Sequence, residues 1–187
     1  LSNITKHALG DSLKRLLLKK PLTKITINDL TTDCGISRMT FYYHFKDIYD
    51  LVEWACLEES TRALQGKKTY STWQEGLLQI FEAVYENKAF IMNAYNSLSR
   101  EQIENFLFRL THDLIMGVVE ERSVGTSITE AQKNFIADFY KYSFVGIMLD
   151  WIRQGMKADY TSICTDMCTT LHGNISNSIK NFTNSTE

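Results

Sequence analysis

The chain has 187 residues, too many for one helix-turn-helix module and enough for a small domain beside a larger one. Apolar residues make up 44%, which supports a sizeable core, and a single proline among long periodic segments favours an all-helical chain. The formal charge of −2 argues at first against a nucleic-acid partner, but residues 1–50 hold eight Lys/Arg against five acids, leaving a net of −5 for the rest.

In chain order, the first predicted helix covers about Ser2 to Lys19. Leu9, Leu13, Leu16 and Leu17 form its inward stripe, and Lys19-Lys20-Pro21 ends it with favourable end charge and a breaker. Leu22, Ile25 and Ile27 pack this helix over the stretch that follows. In TINDLTTDCGISRMTFYYHF, Thr26 and Asp29 form a capping box, so a helix begins at Ile27 and places Ile27, Leu30 and Cys34 on one face. Gly35 ends it, Ile36 pins the turn to the core, and Ser37 caps a second helix from about Arg38 to His44. Phe41 and Phe45 face inward. Arg38, Met39, Thr40, Tyr42, Tyr43 and His44 are left outside, which is helix-turn-helix geometry with its second helix free for a major groove.

The run Cys34-Gly35-Ile36-Ser37-Arg38, then Thr40-Phe41-Tyr42-Tyr43-His44-Phe45-Lys46-Asp47, resembles the DNA-binding signature of the tetracycline-repressor (TetR) family, loosely A-G-[VI]-S-x-x-T-[LF]-Y-x-[HY]-F. Three positions depart from it. Cys34 stands for the usual Ala, Met39 for a frequent Gly on the DNA-facing surface, and Ile48 for a frequent Lys near a phosphate, where Lys46 is the substitute. The resemblance implies a dimeric transcription regulator whose first domain, 1–66 with its motif at 27–45, binds double-stranded DNA, and whose second, 67–187, dimerises and senses an effector. The contacts divide by role. Thr26, Ser37, Tyr42, His44 and Lys46 are placed to meet phosphates, while Arg38, Thr40 and Tyr43 reach base edges and Met39 lies on the same surface. Within the family, KITINDL, ISRMTFYYHFKD and TYSTW are similar to the dihydroxyacetone-kinase operon activator group, whose body is thought to bind a partner protein rather than a free metabolite. A small-molecule effector and a partner protein therefore both stay open.

Past the motif, Asp47 caps a fourth helix running to about Leu64, and Gly66-Lys67-Lys68 is the clearest break, where the domain boundary is placed. Thr72 with Glu75, Ser99 with Gln102 and Thr129 with Gln132 make three further capping boxes. They open helices bearing Leu77, Leu78, Ile80, Phe81, Val84 and Tyr85, then Ile103 to Ile115, then a span from Glu130 to Gln154 that Gly155 stops; a short helix at Phe90–Tyr95 lies between the first two. The middle of the long span, Phe135 to Ile152, is apolar on nearly every side, as expected of a helix buried on two faces. The last helix runs from about Thr161 to Phe182 with an unbroken stripe of Ile163, Met167, Leu171, Ile175 and Ile179. The expectation is an all-α fold of about nine helices, with a three-helix head on a helical body. The body forms a homodimer through its last two helices, at Phe135, Phe139 and that stripe.

Other functions find little footing. His7, His44, His112 and His172 are scattered, with no metalloprotease motif, nucleophile elbow or phosphate-cradling loop, so no enzyme is expected. Cys164, Cys168 and His172 share a helical face, but the outer two lie about 12 Å apart along a straight helix, so no metal or cofactor is assigned. The opening stretch lacks a signal peptide's apolar core and no window is long enough to span a membrane, so a cytoplasmic protein is expected. Phe90, Tyr95, Phe106, Met116, Tyr140 and Phe144 are the aromatic and Met candidates for the effector cavity that the resemblance implies. The alternative is a helical interaction protein controlled by a partner, whose head adds little sequence specificity.

Overall fold

The computed structural model describes residues 2–63, 69 and 71–184. Among them the secondary structure is entirely helical: ten α-helices and one 3-10 turn. Contacts divide the chain into two compact units, Leu1–Glu59 with Asn87–Ile103, and Ser60–Glu86 with Glu104–Glu187. The expected boundary at residues 66–68 lies outside the described residues.

The first unit contains α1 (Ser2–Leu17), a 3-10 turn (Leu22–Lys24), α2 (Ile27–Cys34), α3 (Arg38–His44), the greater part of α4 (Ile48–Ala63) and α6 (Lys88–Ser97). Leu9, Leu13 and Leu17 of α1 meet Leu30, Phe41 and Phe45 of the motif and Leu51, Val52 and Ala55 of α4 in one buried cluster. Two residues from much later in the chain, Phe90 and Ala94 of α6, complete that cluster. Asn93 of α6 also donates from Nδ2 to the Leu17 carbonyl at the end of α1, 3.4 Å away. The periodicity of Phe90, Ile91 and Ala94 predicts the helix, but sequence order alone assigns it to the body.

The second unit is built from α5 (Trp73–Glu86), α7 (Arg100–Ser123, from residue 104), α8 (Glu130–Arg153), α9 (Tyr160–Leu171) and α10 (Asn174–Asn184). Its core comes from Leu77, Ile80 and Phe81 of α5, Leu107 to Val119 along one face of α7, and Ile136, Tyr140, Phe144, Met148 and Trp151 of α8. The Ser99–Gln102 box has both reciprocal bonds, at 3.0 and 3.2 Å, and the Thr129–Gln132 box is likewise complete. The last expected helix is two helices rather than one. Gly173 has φ +75°, a left-handed conformation that ends α9 after Leu171, and α10 restarts with Asn177 donating to the Gly173 carbonyl. The stripe from Ile163 to Ile179 is therefore split between two axes.

Among the described residues no helix is long and apolar enough to cross a membrane.

Candidate nucleic-acid interface

The motif is built by local bonds. Thr26 accepts from the Asp29 amide at 3.1 Å while Asp29 Oδ2 accepts from the Thr26 amide at 2.7 Å, which closes the capping box at the start of α2. Gly35, at φ +65°, ends α2. Ile36 packs against the core, and Ser37 Oγ caps α3 by accepting from the Thr40 amide at 3.0 Å. On α3, Phe41 and Phe45 are buried with ring centroids 6.0 Å apart, and Phe45 leans on Trp54 of α4 at 5.7 Å. Fixing those two rings decides what faces water.

Met39 and Tyr43, one helical turn apart, are the most exposed of the large hydrophobic side chains on α3, at 82% and 80%. Tyr42 is exposed beside them, and its hydroxyl accepts a 3.4 Å hydrogen bond from Arg38 Nη2. Ser37, Arg38 and Lys46 are exposed, whereas Thr40 and His44 are half-buried. Ser37 Oγ and Thr40 Oγ1 lie 2.9 Å apart, and the Tyr43 and His44 rings meet edge-on at 5.0 Å. At the end of α3 the Lys46 amide donates to Asp50, and the Asp50 amide donates to Asp47, which caps α4 as expected. The arrangement offers a cation, phenols and a thioether at the tip, and hydroxyls and an ammonium at the edge.

Thr26, expected among the phosphate contacts, is engaged in the cap of α2. Its hydroxyl donates to Asp29 Oδ2 at 2.8 Å and accepts from the Asp29 amide, so its one proton is already used within the cap. Asp29 is also held by Lys20, whose Nζ lies 2.8 Å from Oδ2. Lys20 first, then Thr26, hold the Asp29 carboxyl down at about 2. On α1, Arg15 is similarly paired with Asp33 at 2.6 Å. Two of the basic residues counted in the head are thus balanced by neighbouring acids. The Lys20–Asp29 pair, nine residues apart, has no motif to announce it in the sequence.

The residues expected at a dimer interface fall into two groups. Phe135 and Phe139 of α8 are exposed at 63% and 60%, and Tyr142 continues their line at 57%. Met167, Ile175 and Ile179 are instead buried within the second unit, and Ile163 and Leu171 are half-buried. Tyr140 on α8 and Ser178 on α10 approach to 3.3 Å between hydroxyls, across the α8–α10 contact that covers Ile175 and Ile179. The stripe that was expected to meet a second copy therefore largely fills this copy's own core.

The expected effector residues are divided between the two units. Phe90 is in the core of the first unit and Tyr95 is half-buried there. In the second unit Tyr140 and Phe144 are buried, and Phe106 and Met116 are half-buried. An open groove of about 660 Å³ does exist in the second unit, between α5 and α9, but Leu78, Cys164, Cys168 and His172 are among its lining residues and none of the six candidates is. Among the described residues no group of three or more His, Cys, Asp or Glu side chains is placed to hold a metal ion.

Comparison with known proteins follows the fold. The TetR-type family described as "Transcriptional regulator C-terminal region" matches residues 71–173, which run from the start of α5 to the break at Gly173. The chain is 22% identical, over 156 residues, to the HTH-type dhaKLM operon transcriptional activator DhaS of Lactococcus lactis subsp. lactis (strain IL1403), covering 82% of each. It is similar in fold to a solved dihydroxyacetone kinase operon activator DhaS, with a TM-score of 0.71, 19% identity, and coverage of 96% of this chain and 98% of that one. With a TetR C-terminal region matching more than half its length and a capped helix-turn-helix ahead of it, the chain belongs to the TetR family of transcriptional regulators.

Proposed function

We propose that the protein binds a palindromic operator as a homodimer, inserting α3 of each head into a major groove, and that its C-terminal unit controls this binding. One observation carries the reading: a seven-residue helix, anchored by two buried phenylalanines, turns Arg38, Met39, Tyr42 and Tyr43 to solvent. Left bare, such a surface is costly, and large exposed apolar side chains grouped with a cation mark an interaction site. Arg38 reads a base, guanine being the bidentate partner, while Tyr43 and Met39 reach thymine methyl groups. Ser37, Tyr42 and Lys46 anchor phosphates, and Thr26 supports them as a cap. The exposed Phe135–Phe139–Tyr142 line of α8 supplies the dimer contact, and two-fold symmetry then places the half-sites about one helical turn apart or slightly more.

The test is selection of binding sites from random DNA by wild type, Arg38→Ala and Lys46→Ala. Wild type is expected to recover an inverted repeat bound within roughly 10⁻⁸ to 10⁻¹¹ M at physiological salt. Lys46→Ala weakens all sequences alike and lowers the salt slope by about 0.9. Arg38→Ala costs roughly 1–3 kcal/mol and relaxes one base pair in each half-site symmetrically. Uniform loss with base preferences intact makes Arg38 a phosphate anchor, and failure to recover any site favours the interaction-protein alternative.

A further inference from the structure

α8 holds a glycine that its own copy of the chain does not explain. A helix interior disfavours glycine, which loses more backbone freedom on folding than alanine does. Gly10 of α1 has a visible reason: a Cβ there would come within 3.2 Å of the Trp54 ring. Gly146 lies well inside α8, on its exposed side, and has no such reason. Its own helix backbone and chain neighbours aside, a Cβ built on it meets no atom of the described residues within 4 Å. The room that a side chain would take is open.

That room lies in line with the exposed aromatics of α8. Phe135, Phe139, Tyr142 and Gly146 are spaced four, three and four residues apart, the alternation that keeps one seam of a helix towards a partner helix. Over about 16 Å the seam carries three rings and then a gap. Each ring is steadied within its own copy. Phe135 meets Phe182 of α10 edge-on at 6.4 Å, Phe139 meets Tyr140 at 5.3 Å, and Tyr142 meets Phe108 of α7 at 5.0 Å. The Lys141 ammonium also lies 5.0 Å from the centre of the Tyr142 ring. Rings held in this way lose little freedom when covered, which suits them to anchor an interface.

Charge and area fit a second copy as the occupant. The acids Glu130, Asp138 and Asp150 of α8 are each paired with a base three residues on, Lys133, Lys141 and Arg153, so no unpaired like charges from these acids oppose self-association. An aromatic side chain buries roughly 150–250 Å², and the three rings are about three-fifths exposed, so two copies would cover roughly 550–900 Å² with these rings alone. Ile147, exposed beside Gly146, adds to that. A specific interface needs about 1,000 Å².

We propose that α8 packs antiparallel on α8 of a second copy, with each Phe135 ring seated on the partner's Gly146. This register rests on the homodimer proposed above and specifies its contact. In a two-fold pairing, residue i meets j while j meets i. Setting Phe135 against the partner's Gly146 therefore also sets Phe139 against the partner's Tyr142, so a ring fills each gap and an aromatic pair flanks the axis on either side. A parallel pairing in register would set glycine on glycine and leave a void beside the rings.

Sedimentation equilibrium of the full chain, without DNA, tests this with wild type, Gly146→Phe, Phe135→Ala and the exchanged double variant Phe135→Ala/Gly146→Phe. Each single variant is expected to weaken the dimer about tenfold or more, the first by ring collision and the second by an unfilled gap. The double variant puts ring and gap back together in the same register and is expected to recover wild-type affinity within about threefold. Gly146→Ala, a better helix former, guards against misfolding: it keeps or raises helicity and still weakens the dimer about threefold. A wild-type dimer that neither Gly146→Phe nor Gly146→Ala weakens overturns the seat and leaves the homodimer standing. Single variants that weaken without recovery in the double overturn the antiparallel register. A monomeric wild type overturns the homodimer and the seat together.

Discussion

Helices α3 and α8 both carry exposed aromatic residues, but they are exposed for different physical reasons. The seven residues of α3 are too few to be stable alone; two buried phenylalanines and a serine cap hold the helix and leave Met39, Tyr42 and Tyr43 exposed. α8 has 24 residues and buries eight of them in its own unit, and its exposed aromatic residues Phe135, Phe139 and Tyr142 form one line. A short helix displays because its anchors are minimal, whereas a long helix displays only what its own core leaves over. The first pattern suits reading a groove and the second suits pairing with a copy of itself.

The largest expected effect comes from removing an anchor. Phe41→Ala takes a fully buried ring from the head core and is expected to cost about 3–5 kcal/mol, read as a lowered urea midpoint together with loss of operator binding. The corresponding change on α8 should leave the fold intact. Phe139 is exposed, so Phe139→Asp is expected to keep helicity and thermal stability while sedimentation changes from dimer to monomer. An unchanged dimer would remove α8 from the interface and return the question to the half-buried Leu171.

Smaller effects sharpen the comparison. Thr26→Ala opens the capping box and is expected to cost about 1 kcal/mol in unfolding experiments. Gly173→Ala forces a Cβ into a left-handed backbone and is expected to cost about 1–2 kcal/mol, with the operator preference unchanged. The smallest is a pH effect at Asp29. Its carboxyl is depressed to about 2 in the folded chain, so its contribution is present above the ordinary carboxylate range and fades as pH falls from about 4 towards 2. Acid titration of Asp29→Asn should show a stability deficit at neutral pH that narrows over that window.

The head was legible because its instructions are local. Thr26 with Asp29, Gly35 and Ser37 each act within three or four residues, and spacing alone separates Phe41 and Phe45 from Tyr42 and Tyr43. The capping boxes at Ser99 and Thr129 were readable for the same reason. What escaped depends on partners distant in the chain. The apolar stripe of Ile163 to Ile179 is real, but pattern alone does not say whether α5 and α8 of the same copy or helices of another cover it. Gly173, inside an otherwise continuous pattern, weighed less than the four-residue repeat around it. Phe90 sits in the first unit's core although its place in the sequence groups it with the body, and the pairing of Lys20 with Asp29 spans a turn that a charge count does not resolve.

The seating of Phe90 and Ala94 in the first unit's core also bears on how that unit comes into being. A fragment ending before α6 lacks two of the side chains that close its core, and α1 and the 3-10 turn lose the helix packed on them. During synthesis the motif helices leave the ribosome early, yet the unit waits for about fifty further residues, from His44 to Ala94, before its packing is complete, at about 5–20 residues per second. Meanwhile that apolar surface is open to chaperones and to aggregation. An isolated DNA-reading fragment should therefore be engineered by fusing α6 to the end of α4 through a short flexible linker, not by cutting the chain at its most obvious break.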